Sequence, residues 1–391
     1  MFLLAVSITN SVKSRVKNLP DMHPVNVGIV GCGTICDAYL SNATQFDQYR
    51  ITTCADIDRD RAESKAAEYG IEAVEVPELL DDPAIDIVLN LTPPTVHAEV
   101  CTEVLEAEKH VYTEKPFATT VADADAIREL AADRGLFVGS APDTFLGAGL
   151  QTCRTVIDEG RIGRPVGATA IWTSSGHETW HPNPDLYYQE GGGPLFDMGP
   201  YYVTALVFLL GPARRVAGSI GRASDKRTIT SEPRHGETVD VEVPTHEAGV
   251  VDFESGAIAN VLTSFDVQDS TLPAPAFELY GTDGTLRLTN PNNFDGTVQV
   301  SSRKTDGWED IPYTHEYTGG RGVGVADMAL AIRSDWDHRT SGELAEHVLE
   351  VLSGIRSSST ESEYVALEAD CDQPAALPRT FPDGIDSSNE D

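Results

Sequence analysis

A lysine set between a carboxylate and a proline, Glu114-Lys115-Pro116, ends the apolar run 110–113. The chain has only seven lysines, so one in this setting is unlike a casual surface charge. An ammonium at the carboxyl end of a buried strand sits where open α/β sheets bind their ligands, and a nicotinamide is the ligand expected here. Upstream, Gly31-Cys32-Gly33-Thr34-Ile35-Cys36 follows one apolar run and opens a helical pattern, offering backbone N–H groups and a helix dipole to a pyrophosphate. A lone Gly-x-Gly also reads as a tight strand-to-helix turn, and cysteine stands where the third glycine would be. Asp56 favours the dinucleotide reading. It ends the next strand, where a carboxylate accepts hydrogen bonds from the adenosine ribose diol and repels a 2′-phosphate, so NAD is expected over NADP. Arg59 and Arg61 lie close enough to keep NADP open. Thr92-Pro93-Pro94 follows a third apolar run, at the sheet edge where ligands of open α/β folds bind, with His97 in the next helix. The prolines make a rigid floor; His97 reads equally as a cofactor contact or as a capping or core histidine.

These residues need a scaffold, and the hydrophobic pattern describes one. Apolar runs at 25–30, 51–55, 85–91, 110–113 and 136–139 alternate with helical stretches near 34–45, 58–69, 95–108 and 121–134. Short buried strands alternating with helices specify an α/β doubly wound parallel sheet of Rossmann type over 25–145. Beyond Asp143 the character changes. A helix over 147–160 precedes strand-like runs at 166–174, 247–253, 257–266, 277–280 and 285–288, with Thr282-Asp283-Gly284 as a hairpin turn between the last two. This is an α+β domain, 146–369, with a largely antiparallel open sheet. The triple glycine Gly191–Gly193 introduces a helix to about Leu210, and two more helices fall near 325–333 and 342–356. Residues 1–24 read as a leader, with Met22 an alternative start, and 370–391 as a disordered acidic tail.

Gly31-x-Gly33, Asp56, Thr92-Pro93-Pro94-x-x-His97, Glu114-Lys115-Pro116 and Gly191-Gly192-Gly193-Pro194-x-x-Asp197-x-Gly199, in this order, resemble the Gfo/Idh/MocA oxidoreductase family from about Val25 to Leu367. The resemblance implies an NAD(P)-dependent enzyme that moves hydride on a sugar or polyol, and a homo-oligomer, dimer or tetramer, formed through the open sheet. It puts Lys115 on the nicotinamide ribose and the reacting hydroxyl, and Asp197 on the substrate. Four residues beyond Asp197 the family commonly has its catalytic histidine; here stands Tyr201, as in the branch that includes glucose–fructose oxidoreductase. A phenol titrates near 10 unless an adjacent cation stabilises phenolate, and Lys115 is expected to supply that charge. Tyr201 is also readable as a core aromatic, with Tyr202 facing the site instead. His177, Trp180 and His181, in the polar loop before the triple glycine, are candidates to grip a polyol, and either histidine is an alternative base. Asp143 is a further substrate-contact candidate, with a turn cap as the other reading. Two other functions stay open: a glycosidase-type enzyme that retains its NAD, and a non-catalytic dinucleotide-sensing regulator.

Composition sets the outer limits. The 391 residues, 40% hydrophobic, suit two cores rather than one. No apolar run approaches the roughly 20 residues of a membrane span, and the first residues are too short an apolar stretch for a secretory signal, so a cytoplasmic location is expected. Six cysteines lack metal-ligand spacing, and no metal is expected; Cys32 and Cys36, four apart, serve the helix start rather than a metal pair. A formal charge of −34, from 62 acids against 28 bases, argues against nucleic acid and suggests a salt-adapted (halophilic) protein.

Overall fold

The computed structural model describes residues 23–272, 274–303, 306–334 and 336–382. The expected leader lies outside these residues apart from His23 and Pro24.

Strands β1 (Val25–Val30), β2 (Tyr49–Ala55), β3 (Glu72–Ala73), β4 (Ile87–Asn90), β5 (His110–Thr113) and β6 (Val138–Ser140) form a six-stranded sheet in the order β3-β2-β1-β4-β5-β6. Every pairing is parallel. All of β4 is buried, as a parallel strand covered on both faces must be, and this is why it reads as an unbroken apolar run. The connecting helices are α1 (Cys36–Asn42), α2 (Arg59–Tyr69), α3 (Val76–Asp81), α4 (His97–Glu106) and α5 (Val121–Arg134). The ends of α5 are set by local chemistry. The Thr120 side chain accepts from Asp123 N–H at the start, and Gly135 takes a left-handed conformation at the end. Strand order reverses between β1 and β4, so their carboxyl ends flank the crevice where such sheets take ligands. Both the doubly wound sheet and the change of architecture after it agree with the sequence. The helix expected over 34–45 is shorter, giving way after Asn42 to a 3-10 turn, Ala43–Gln45.

The second sheet has nine strands: β7 (Pro165–Thr173), β8 (Ala213–Gly221), β11 (His246–Phe253), β12 (Ile258–Ser264), β13 (Ala276–Gly281), β14 (Gly284–Leu288), β15 (Val298–Ser302), β16 (Trp308–Ile311) and β17 (Val365–Ala366). Their order is β16-β15-β14-β13-β7-β12-β11-β8-β17, and only β7 and β12 pair in parallel. A separate hairpin, β9 (Lys226–Thr228) and β10 (Thr238–Asp240), stands beside it. Helices α6 (Ala148–Asp158), α7 (Pro194–Leu210) and α9 (Gly342–Glu361) pack against this sheet.

Helix α8 (Val323–Arg333) does not join them. It lies on β2 and β6 of the first sheet. Ser140 N–H donates to Thr340 O at 3.0 Å, and Arg333 pairs with Asp86 at 3.1 Å. Residues 322–341, assigned from the sequence to the second domain, therefore cover the first one.

The tail also differs from expectation. Leu377 and Phe381 are buried, Phe381 stacks on Trp336, and the backbone carbonyls of Pro374, Ala375, Ala376 and Leu377 accept from Arg154, Arg339 and His315. Residues 370–382 are packed rather than disordered; the remainder of the expected tail lies outside the described residues.

Candidate active site

Helix α7 carries the first half of the site. Gly193, at φ 91, precedes Pro194 at the first helical position. A Cβ at Gly193 would stand 2.9 Å from Pro244 O. The buried Glu247 carboxylate accepts Leu195 N–H at 3.0 Å and pairs with Arg356 at 2.6 Å, while Arg356 also donates to Gly192 O at 3.0 Å. The turn and the helix start are thus tied to β11 and α9. Every residue of α7 is buried except Asp197, which is partly exposed.

The end of β5 brings the other half. Lys115 Nζ donates to Asp197 Oδ1 at 2.8 Å and to Asp197 O at 2.7 Å, and lies 5.2 Å from the Tyr201 ring centroid. Asp197 Oδ2 meets His177 Nε2 at 2.8 Å. Burial opposes both charges. Even so, Asp197 holds the Lys115 ammonium well above the usual lysine range, and Lys115 with His177 holds the Asp197 carboxyl well below the usual carboxylate range. Each group is stabilised in its charged form by the other.

Tyr201 is buried, and that burial raises its phenol above the ordinary value, with Lys115 and Arg321 offsetting it only in part. The expectation that Lys115 alone brings the phenol toward neutrality is corrected on this point. Tyr202 is not the inward residue: its hydroxyl donates to Asn290 at 3.2 Å and its ring packs on Phe277. The sequence reading missed Arg321, whose Nη2 donates to the Tyr201 hydroxyl oxygen at 2.7 Å. The signal was available, since Gly319, Gly320 and Gly322 surround it just before the start of α8.

Asp143 is fully buried and makes no opening toward a substrate. Its Oδ2 accepts from Gly322 N–H at 2.9 Å and Gly324 N–H at 3.1 Å, so it anchors the start of α8. The turn-cap reading is the one that holds, with the capped turn distant in sequence. His97 is likewise buried. Its ring nitrogens meet Pro116 O at 2.7 Å and Thr92 O at 2.8 Å, so neither remains for a cofactor. It fastens the Thr92-Pro93-Pro94 floor to the Glu114-Lys115-Pro116 turn.

At the corner expected to take the dinucleotide, the first two glycines differ. Gly31 sits at φ 102, and a Cβ there would stand 2.7 Å from the Leu91 backbone; at Gly33 a Cβ would meet nothing within 4 Å. The first glycine is therefore needed by the fold, and the second leaves open space beside Thr34 and Ile35. Asp56 Oδ2 accepts from Cys32 N–H at 2.7 Å and Oδ1 from Asp58 N–H at 2.8 Å. A carboxylate has about four lone-pair sites, so two can still serve a ribose diol. Arg59 is paired with Glu63 and Glu75, and Arg61 with Asp58. Glycines, open space and a carboxylate at the switch point fit a dinucleotide.

On the substrate side, His177 stands among Trp172, Trp180, Tyr187 and Phe265, with ring centroids 4.1 Å from Tyr187 and 4.6 Å from Phe265. Trp180 is 61% exposed and His181 partly so. The loop is held from behind by Arg227, which pairs with Glu178 at 2.9 Å and Asp266 at 2.6 Å; Tyr188 donates to Glu178 as well. Sequence reasoning missed Trp172, Tyr187, Phe265 and Arg227, which come from β7, a 3-10 turn, the residue after β12 and the β9 hairpin. Among the described residues, no group of three or more His, Cys, Asp or Glu side chains is arranged to hold a metal, and no helix is long and apolar enough to cross a membrane.

Both domains have matches among known proteins. Residues 25–141 match a family model described as an oxidoreductase family with an NAD-binding Rossmann fold, and residues 150–287 match the GFO/IDH/MocA C-terminal domain. The chain is 27% identical to a 1,5-anhydro-D-fructose reductase of Ensifer adhaerens over 73% of its own length and 82% of that protein. It is 25% identical to D-xylose 1-dehydrogenase (NADP(+)) 2 of Haloferax volcanii, over 87% and 99% respectively. A solved levoglucosan dehydrogenase, in complex with NADH and L-sorbose, shares the fold with a TM-score of 0.76 at 20% identity, covering 88% of this chain and 99% of that one. With both domains matched, the chain belongs to the GFO/IDH/MocA family of NAD(P)-dependent oxidoreductases.

Proposed function

We propose that this enzyme oxidises a secondary hydroxyl of a sugar or polyol, or reduces the matching carbonyl, with Tyr201 as acid/base and NAD preferred. One observation carries the reading: an ammonium 2.8 Å from Asp197 and 5.2 Å from the Tyr201 ring, at the carboxyl end of β5 beside the sheet's switch point. The bound nicotinamide would supply the hydride acceptor or donor. The backbone from Gly31 to Ile35 would receive the pyrophosphate, Asp56 the adenosine ribose diol, and the Thr92-Pro93-Pro94 floor with Lys115 the nicotinamide end. Asp197 orients Lys115, and its other oxygen, shared with His177, faces the substrate side. In oxidation the substrate O–H proton passes to the Tyr201 oxygen, while Lys115 steadies the alkoxide charge as it develops. Trp180 and His181, being exposed at the mouth, would contact the sugar; His177 acts through Asp197.

The names of the reductase and dehydrogenase relatives support a sugar as substrate, and the engagement of Arg59 and Arg61 with carboxylates supports NAD. A panel of aldoses, ketoses and polyols, followed by nicotinamide absorbance with NAD and NADP separately, tests both parts. Turnover on no free sugar or polyol, with cleavage of a glycoside instead, would sink the reading. The charge of −34 supports salt adaptation as well; the thermal midpoint should rise with KCl, and an unchanged midpoint rejects it.

A further inference from the structure

The Tyr201 oxygen has two cations near it, and they are not equivalent. Lys115 uses two of its three N–H donors on Asp197 and approaches the phenol only through the ring face. Arg321 touches the oxygen itself, at 2.7 Å. A guanidinium has only donors, so this contact uses a lone pair of the phenol oxygen and leaves the O–H proton directed elsewhere. It also stays charged throughout the working pH range, so it cannot take the proton that Tyr201 exchanges. A fixed cation that never competes for the proton is what a phenolate base requires.

Arg321 lies between two carboxylates at ion-pair distance. Its side chain is 15% exposed, with Asp143 Oδ1 at 3.6 Å from Nη1 and Glu114 Oε1 at 3.8 Å from Nε. Asp143 is fixed by Gly322 and Gly324 N–H. Glu114 is fixed by the Tyr39 hydroxyl at 2.9 Å and by Lys115 N–H at 3.0 Å. The carboxylates come from the first domain's strand ends, and the guanidinium from the segment that returns to cover that domain. Tyr201 comes from the second domain. Both cations favour the phenolate, Lys115 by its charge and Arg321 as the one hydrogen-bonded to the oxygen itself.

We infer that Arg321 is the positioning residue for the Tyr201 oxygen, fixing its place and favouring its phenolate form, with Asp143 as the carboxylate that aims the guanidinium. This rests on the proposal that Tyr201 is the acid/base group. In oxidation a Tyr201 O–H bond would form as the substrate O–H bond breaks, and the C–H electron pair would leave as hydride, for which a nicotinamide held at the sheet's switch point would be the acceptor. The proton then on Tyr201 would be lost to solvent, so the two electrons and the proton of the alcohol are accounted for. Arg321 takes part in no bond change; it stabilises the side of the exchange on which Tyr201 is charged. The charged and titratable groups facing the phenol are Lys115, Arg321, Glu114, Asp197 and Tyr187, so a pH effect must be assigned by substitution.

The experiment uses two readouts on the full chain. The first is the pH profile of kcat/KM for oxidation, in the wild type, Arg321→Gln, Arg321→Lys and Asp143→Asn. The second is ultraviolet titration of Tyr201, taken as the phenolate absorbance lost on Tyr201→Phe in each background, without cofactor. Arg321→Gln should raise both apparent pKa values by about one unit or more. Arg321→Lys should recover part of the shift, and added guanidinium should restore part of the Arg321→Gln activity. Should Arg321→Gln fail to fold, Asp143→Asn carries the same test with a smaller upward shift. An unchanged titration in the folded variants overturns the inference. If Tyr201→Phe keeps wild-type turnover, the acid/base proposal fails instead, while the titration still reports whether Arg321 governs the phenol.

Discussion

The corner proposed for the dinucleotide and the corner proposed for the substrate are built in opposite ways. Gly31, Cys32 and Asp56 lie within two consecutive strand ends, and their contacts join near neighbours: Cys32 N–H to Asp56, Asp58 N–H to Asp56. Tyr201, Lys115, His177 and Arg321 come from four distant segments and meet only when both sheets and the returning segment are in place. Backbone shape dominates the first corner. Side-chain charge dominates the second, where burial makes each missing partner costly. Substitutions in the first should therefore change binding or folding, and those in the second should change turnover.

The largest effect expected is at the substrate corner. Tyr201→Phe keeps the ring and deletes the proton carrier, so turnover should fall by roughly 10²–10⁴ with folding intact. Lys115→Ala should fall at least as far, and the double variant little further than the worse single one, because coupled groups do not add. Near wild-type turnover in Tyr201→Phe, with collapse in His177→Ala or His181→Ala, would move the base into the loop before the triple glycine.

How far each corner was legible follows the same division. The Gly31 turn, Asp56 and the Glu114-Lys115-Pro116 turn were readable because strand, turn and helix signals sit side by side. His97 and Asp143 were visible as residues but not as roles, since their partners are backbone groups, which have no sequence signature: Pro116 O and Thr92 O for one, Gly322 and Gly324 N–H for the other. The same reason hid the order in 370–382, whose carbonyls are gathered by Arg154, Arg339 and His315. Strands β8, β15 and β16 were missed because one face of the sheet is open, so polar residues such as Arg214, Arg215, Glu309 and Asp310 interrupt the apolar pattern.

Next in size is a backbone effect at the dinucleotide corner. Gly31→Ala forces a side chain into φ 102 and within 2.7 Å of Leu91, where nothing flexible can yield. A strained conformation alone costs roughly 1–3 kcal/mol, so the thermal midpoint should drop and cofactor binding weaken together. Gly33→Ala, with open space around it, should leave the midpoint unchanged and lower cofactor affinity alone. Equal midpoints for the two variants would contradict the geometry at Gly31.

A smaller effect tests the charge pairs by pH. Lys115 and His177 depress the Asp197 carboxyl below its unfolded value, so its ionisation contributes stability that is fully present above the ordinary carboxylate range. That contribution is lost as pH falls through the depressed value. Wild type should therefore exceed Asp197→Asn in stability at neutral pH, and the gap should narrow as the solution becomes strongly acidic. A gap independent of pH would mean that packing, and not the ion pair, accounts for the difference.

The smallest effect distinguishes the two roles of Asp56. Its carboxylate holds the glycine turn through Cys32 N–H, and it is also the group proposed to take the ribose diol and repel a 2′-phosphate. Asp56→Ala removes both roles, so NAD should lose affinity in either case. The second cofactor separates them. If the carboxylate only braces the turn, kcat/KM with NAD and NADP should fall together and the preference should stay constant. If it also repels the 2′-phosphate, NADP gains what NAD loses, and the preference should shrink by about tenfold, the equivalent of roughly 1.4 kcal/mol. Asp56→Asn sharpens the comparison, because its amide oxygen can still accept Cys32 N–H while the charge is gone. A preference relaxed in Asp56→Asn with an unchanged thermal midpoint would assign cofactor choice to charge alone. Arg59 and Arg61 then supply the limit, since both are engaged by carboxylates and neither is expected to turn toward a 2′-phosphate unless Glu63, Glu75 or Asp58 is also removed.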